Sequence, residues 1–177
     1  MRIVTIGRGN IGGGLGKLWR AAGHDVTELG REGGDASGAE AVLLAVPSAA
    51  VDDALTKVQG LGQAPIIDAT NVVAAPRPEG FDSIAAYVRS RTGAPVAKAF
   101  NANFARIYDR IPEAREKPSM VFAADDDARD VTAALITDAG YEPIYAGDLA
   151  NARAVEDFLG VIFAIAGQRG PFFYRIY

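Results

Sequence analysis

The sequence predicts one α/β domain built on a doubly wound, mostly parallel sheet with a C-terminal helical extension. Three observations carry this expectation. Short apolar runs of strand length alternate with segments of helical period along the chain. A glycine-rich loop follows the first run directly and opens a helix. The third run, Ala41 to Val46, is apolar almost throughout, as a parallel strand covered on both faces should be.

The elements follow in order. Ile3 to Ile6 is the first strand, and Ile11, Leu15, Leu18 and Ala22 mark the helix behind it until Gly23 stops it. Asp25 to Leu29 is the second strand. Only a glycine-rich stretch, Gly30 to Gly38, separates it from the third, so the usual crossover helix is missing. Pro47-Ser48 opens a helix with Val51, Ala54, Leu55 and Val58 on one face. Pro65 to Asp68 and Pro95 to Phe100 are strands four and five, with a helix from about Asp82 to Arg91 between them. A short helix near Asn103 and an irregular piece through Pro112 and Pro118 lead to strand six, Ser119 to Ala123. Asp125 to Ala139 is a helix ended by Gly140, and Tyr141 to Tyr145 is strand seven. The last helix, about Asn151 to Ala166, carries Val155, Phe158, Leu159, Ile162 and Phe163 as a wide apolar stripe.

The loop Gly7-Arg8-Gly9-Asn10-Ile11-Gly12 has the spacing of a Rossmann-type dinucleotide site, between a strand and a helix. Its first glycine permits the tight turn and its second lets the backbone approach a pyrophosphate. The third lets helix and strand pack closely. Gly13, Gly14 and Gly16 continue into the helix at roughly 1 kcal/mol each against alanine, a cost that a binding role would explain. At the tip of strand two stand Gly30 and Arg31. Glycine leaves room there, and a guanidinium suits a 2′-phosphate, which favours NADP(H) over NAD. Glu28 and Glu32 lie close by, and a register shifted by two would return an acid to the tip. Arg8 either lies over the adenosine or is solvated.

Composition narrows the function. The 177 residues suit a single domain, 1–177, with 151–177 as a C-terminal helix and aromatic tail. Charges are interspersed to a net −4 without a basic block, which argues against a nucleic-acid partner. With no cysteine and one histidine, disulfides, a thiolate nucleophile and a serine–histidine triad drop out, and a zinc site would need carboxylates for nearly every ligand. His24 precedes strand two, on the edge opposite the one where ligands bind. The longest apolar run, Val161 to Ala166, is far short of the about 20 residues that cross a bilayer. Met1 to Ile6 is too short and too soon glycine-rich for a signal peptide. The expectation is a soluble, cytoplasmic protein without a membrane partner.

Several stretches together resemble one family, the reductases that move hydride between NADP and the deazaflavin coenzyme F-420. They are the glycine loop, Gly23-His24-Asp25-Val26, Val46-Pro47-Ser48, Asp68-Ala69-Thr70-Asn71, Lys98-Ala99-Phe100-Asn101, Asp125-Asp126-Asp127, Gly147-Asp148-Leu149 and Asn151-Ala152-Arg153. The related cytosolic domains of STEAP metalloreductases, which use a flavin, share the pattern. The resemblance implies cofactor contacts from Gly9, Asn10, Ile11, Arg31, Val46, Pro47 and Ser48. It implies a nicotinamide near Asn71 and Asn101, with Asn101 on the substrate side, and a homodimer. The segment after strand two is shorter than the family's, and the C-terminal part is compact.

Some residues admit two readings. Asp125 to Asp127 read as helix caps rather than a metal site. Asp68 could serve the site or be bonded locally, and Asn101 could orient an amide or cap a helix. The tail Gly170 to Tyr177 either packs on its own domain or joins a dimer interface. With a flavin-like or deazaflavin acceptor, little acid–base chemistry is required of the protein. A small imine or carbonyl acceptor would need a proton donor in the cleft, for which Lys98 is the candidate. A non-catalytic NADP-binding module is the remaining alternative.

Overall fold

The computed structural model describes residues 1–73 and 76–177. Its main sheet has seven strands in the order β2-β1-β4-β6-β7-β8-β9. These are β1 (Arg2–Ile6), β2 (Asp25–Leu29), β4 (Ala41–Leu44), β6 (Ile66–Asp68), β7 (Val96–Lys98), β8 (Ser119–Ala124) and β9 (Glu142–Tyr145). A two-residue pair, β3 (Gly34–Asp35) with β5 (Val58–Gln59), stands apart from it. The helices are α1 (Asn10–Ala21), α2 (Val51–Lys57), α3 (Ile84–Thr92), α4 (Asp126–Asp138) and α5 (Ala152–Arg169).

The first five main-sheet strands run parallel, and β1 is flanked by β2 on one side and β4 on the other. Strand order therefore reverses beside β1, which opens a crevice at the carboxyl ends of β1 and β4. Alternate side chains go to opposite faces, as the two-residue period of a strand requires. Ile3, Leu43, Ile67 and Ala97 pack with Leu15 and Trp19 of α1 and Leu135 of α4. Val4, Val42, Ile66 and Val96 pack with Leu55 of α2 and Val88 of α3. Helices thus cover both faces of the sheet, and the expected Rossmann-type architecture is present.

Four details differ from the sequence expectation. The crossover after β2 does lack a helix, but β3 pairs there with β5, so Val58 lies on a strand and not on the face of α2. Gly33, at φ +78°, sits so close to α2 that a Cβ would lie 2.2 Å from the Lys57 carbonyl oxygen. After β7 the chain takes a 3-10 segment, Ala105–Glu113, which includes Pro112, in place of a short helix near Asn103. No helical crossover intervenes, so β8 meets β7 antiparallel, and β9 runs parallel to β8. Asp125 does occupy the N-cap of α4, but its carboxylate accepts from the Val96 amide (3.0 Å) and pairs with Arg89 (2.9 Å) instead of capping.

The aromatic tail folds back on its own chain. The Ser119 amide donates to the Tyr174 carbonyl at 2.9 Å, and the Ile176 amide donates to the Ser119 hydroxyl at 2.9 Å. Phe173 meets the Tyr141 ring, Tyr174 the Phe158 ring and Phe172 the Phe104 ring. Three of the rings expected at a dimer interface are thereby used within the monomer, while Tyr177 stays exposed. On the outer face of α5 Val161 and Ile165 are exposed, and Phe163, on the opposite side, is half exposed. No helix of the described residues is long and apolar enough to cross a membrane.

Phe100, two residues past β7, has a left-handed backbone (φ 60°), unusual for a bulky side chain. Such a conformation costs about 1–3 kcal/mol and persists only where its surroundings fix it. Here the fully buried ring meets Trp19 of α1 edge to face, with centroids 5.7 Å apart.

Candidate functional site

The three loop glycines differ in what surrounds them. Gly7 has φ +103°, and a Cβ there would lie 2.3 Å from the Ala45 carbonyl oxygen. A Cβ on Gly12 would lie 1.8 Å from the Gly7 carbonyl oxygen, so α1 presses directly on the end of β1. At Gly9 a Cβ would meet nothing within 4 Å. The first and third glycines are therefore needed by the fold, whereas the second faces open space at the N-terminus of α1. An anion fits there, against the unpaired amides and the positive end of the helix dipole.

The glycines inside α1 have a structural explanation instead. A Cβ on Gly14 would lie 2.7 Å from the Tyr108 ring, and one on Gly16 would lie 2.9 Å from the Glu28 carboxylate. The helix accepts them to let the 3-10 segment and β2 come close. Their cost does not point to a ligand.

From the glycine loop a cleft of about 580 Å³ runs across the carboxyl ends of the strands. One wall is Asn10 and Ile11 after β1, with Val46, Pro47 and Ser48 after β4. Thr70 and Asn71 follow β6, and Asn101 and Asn103 follow β7. The far wall is apolar: Phe104 with Leu159, Ile162 and Phe163 of α5. Asn10, Ile11, Val46, Pro47, Ser48, Asn71 and Asn101, all expected site residues, thus share one cleft. Gly30, Arg31 and Arg8 lie outside its lining, at the end of β2, where an adenosine would extend from a pyrophosphate at Gly9.

The register at that end is as expected. β2 stops at Leu29, and Gly30 and Arg31 follow at once. Glu28 is turned onto α1, where Arg20 donates to it at 2.6 Å. Arg8 is largely exposed, with its guanidinium 3.4 Å from the Glu32 carboxylate.

Two amides stand out in the cleft. The Asn71 Nδ2 donates to the Asn101 carbonyl at 2.9 Å, and the Asn101 Nδ2 donates to the Val155 carbonyl at 3.0 Å. Asn101 therefore ties β7 to α5 and does not cap a helix. Both Oδ1 atoms are buried without a hydrogen-bond partner among the described residues. An unpaired buried acceptor costs about 1–3 kcal/mol, so this pair of oxygens suits a ligand that brings N–H donors.

Behind the cleft lies a charged network. Lys98 is fully buried and donates to Asp68 (2.8 Å) and to the Thr70 carbonyl (2.6 Å), with Glu156 of α5 at 3.3 Å. Glu156 in turn accepts from the Ile84 amide and from Arg77. Asp68 also accepts from the Thr70 amide at 2.9 Å. Lys98 does not line the cleft, so its candidacy as a proton donor to a carbonyl acceptor fails, and Asp68 is bonded locally. Tyr108, in the 3-10 segment, and Tyr141, whose ring packs edge-on against it, have their phenols pushed well above the ordinary tyrosine range by desolvation. His24 lies far off, bonded to Asp138 at 2.9 Å and to the Met1 amino group at 3.2 Å.

Sequence reasoning missed Asn103, Phe104 and Arg106 as site residues, all of which line the cleft. Their position just after the fifth parallel strand, on the ligand-binding edge, was the available signal. Among the described residues Arg106 is the only ionisable side chain in that lining, and it lies 5.6 Å from the centre of the Phe104 ring.

No protein-family model and no curated protein matches the chain. Among solved structures it is similar to a proposed F420-dependent NADP reductase from Arthrobacter sp. FB24. That likeness has a TM-score of 0.80 at 22% identity, over 99% of this chain and 98% of the other. A hypothetical protein from Sinorhizobium meliloti matches with a TM-score of 0.67 at 26% identity, over 84% of this chain and 85% of that one. A reductive aminase from Aspergillus terreus, in complex with NADPH and ethyl levulinate, matches at 0.64 and 17% identity, over 94% of this chain but 62% of its own. These likenesses establish the fold, that of the Rossmann-type reductases and dehydrogenases.

Proposed function

We propose that this chain is an NADP(H)-dependent oxidoreductase that passes hydride between NADPH and a flavin-like or deazaflavin acceptor. The observation that carries the reading is the cleft itself. It joins an open phosphate cradle at Gly9 to two unpaired amide oxygens, on Asn71 and Asn101, and among the described residues its lining holds no acid, histidine, lysine or tyrosine. The NADP-related reductases that share the fold, one of them described as F420-dependent, support the same reading. So does the sequence likeness to F-420 reductases and, more remotely, to STEAP domains.

The residues present fit the dinucleotide. The backbone at Gly9, Asn10 and Ile11 would hold the pyrophosphate, and Val46, Pro47 and Ser48 would flank the nicotinamide ribose. Asn71 and Asn101 would accept from the carboxamide. When bound, NADPH supplies the hydride, and the acceptor ring takes it. The protein then has to stack the two rings and exclude water. Phe104, Leu159, Ile162 and Phe163 give the second ring an apolar wall, and the absence of a proton-transfer group costs such a reaction nothing. A small carbonyl or imine acceptor would need the donor that the lining lacks.

Turnover of NADPH against a panel of deazaflavin, flavins and small carbonyls tests this. Activity with a ring acceptor alone is expected. Activity with carbonyls alone would replace the reading, and binding without turnover would mark a regulatory module. NADPH should bind more tightly than NADH, and Arg31→Ala should weaken NADPH by about 1.5–3 kcal/mol with little effect on NADH.

The exposed outer face of α5 supports a homodimer, with Val161 and Ile165 one turn apart and uncovered. Light scattering should give a dimer for the chain and a monomer when Val161→Glu and Ile165→Glu are combined. A monomeric parent chain would end that part of the proposal.

A further inference from the structure

We propose that Glu32 sets the balance between the two nicotinamide cofactors by holding Arg8 in a pair that opposes a 2′-phosphate. This rests on the dinucleotide reading above. It concerns the end of β2, where Gly30, Arg31 and Glu32 follow the strand.

Gly30 and Gly33 close a tight turn, the Gly33 amide donating to the Gly30 carbonyl at 3.2 Å, with Arg31 and Glu32 at its two corners. The turn is tied to the phosphate loop, because Ile6 and Leu29 are register partners and the Gly7 amide donates to the Leu29 carbonyl at 2.9 Å. Gly30 has no side chain, and other groups cover its open face. A Cβ there would lie 2.5 and 2.6 Å from the two Glu32 carboxylate oxygens and 2.8 Å from the Arg8 guanidinium carbon. The carboxylate and the guanidinium thus meet over Gly30, paired at 3.4 Å. The other nearby acid, Glu28, is turned away and held by Arg20 at 2.6 Å.

The chemistry of the 2′ position separates the cofactors. A ribose 2′-hydroxyl can donate to the Glu32 carboxylate where it stands, which is how acidic residues at this tip select NAD. A 2′-phosphate is anionic and only accepts, so the same carboxylate repels it and competes with it for Arg8. Binding NADPH therefore requires Arg8 to leave Glu32 and join Arg31 on the phosphate. Glu32 lowers the preference for NADPH without abolishing it.

The test is calorimetric titration of NADPH and NADH against the full chain, Glu32→Gln and Arg8→Ala. Both side chains are largely exposed, so neither change threatens the fold. Glu32→Gln should tighten NADPH and loosen NADH, each by about two- to fivefold, the scale of exposed charge pairs. Arg8→Ala should weaken NADPH and leave NADH nearly unchanged. Movement in opposite directions is the signature of a carboxylate that discriminates at the 2′ position. If Glu32→Gln shifts both cofactors alike, or neither, the inference fails while the dinucleotide reading stands. If the unaltered chain binds neither cofactor, both fail.

Discussion

Gly9→Val should abolish binding of NADPH and NADH alike while leaving the fold intact. The backbone at Gly9 has φ −78° and ψ −157°, an extended conformation that a branched residue adopts without strain. A Cβ there meets nothing within 4 Å, so stability should move by no more than about 0.5 kcal/mol, as for other surface changes. The added methyl groups would fill the space in which the backbone must approach a pyrophosphate. Affinity should fall by about a hundredfold or more, roughly 2.7 kcal/mol. Calorimetric titration beside a thermal melt reads both quantities. A folded variant with full affinity would show that the loop is only a turn. The neighbours provide a contrast: alanine at Gly12 would drive a methyl to 1.8 Å from the Gly7 carbonyl, so that change should damage the fold itself.

Lys98→Met should cost about 3–5 kcal/mol of stability, the usual result of removing one partner from a buried charge group. The methionine keeps the bulk but leaves the buried Asp68 without its cation, and Glu156 with Arg77 alone. It also removes the donor at 2.6 Å from the Thr70 carbonyl, so the chain leading into Asn71 loses an anchor. Urea unfolding measures the loss, and an unchanged midpoint would mean that the network adds little. Adding Asp68→Asn to Lys98→Met should recover part of the deficit, because it removes the buried charge left without a partner.

The parallel half of the fold was legible because its signals are local. A β-period run followed by Gly7-Arg8-Gly9-Asn10-Ile11-Gly12 fixes a strand, a turn and a helix within about twenty residues, whereas Asn71 and Asn101 entered through the resemblance to F-420 reductases. What the sequence obscured depends on distant partners. The reversal of β8 comes from a 3-10 segment with no helical period of its own. The destination of the tail depends on Ser119 and Tyr141, which an apolar octapeptide does not name. The glycines of α1 looked functional because Tyr108, which requires Gly14, lies some ninety residues downstream. Lys98 carried the character of a cleft residue until Asp68 and Glu156 were seen to enclose it.

The left-handed backbone at Phe100 has a consequence for how affinity is gained. Trp19 belongs to the helix that starts at the phosphate loop, and its indole donates to the Leu135 carbonyl at 2.8 Å, which anchors it on α4. Phe100, wedged edge-on against that indole, is followed directly by Asn101. The N-terminus of α1 at one end of the cleft and the amide oxygen at the other are thus linked through two packed aromatic rings. A ligand long enough to span them finds the separation already set, and little backbone entropy remains to be lost on docking. If the cleft takes the dinucleotide proposed for it, the strain held at Phe100 is incurred once, during folding, and each binding event meets its two ends already in place.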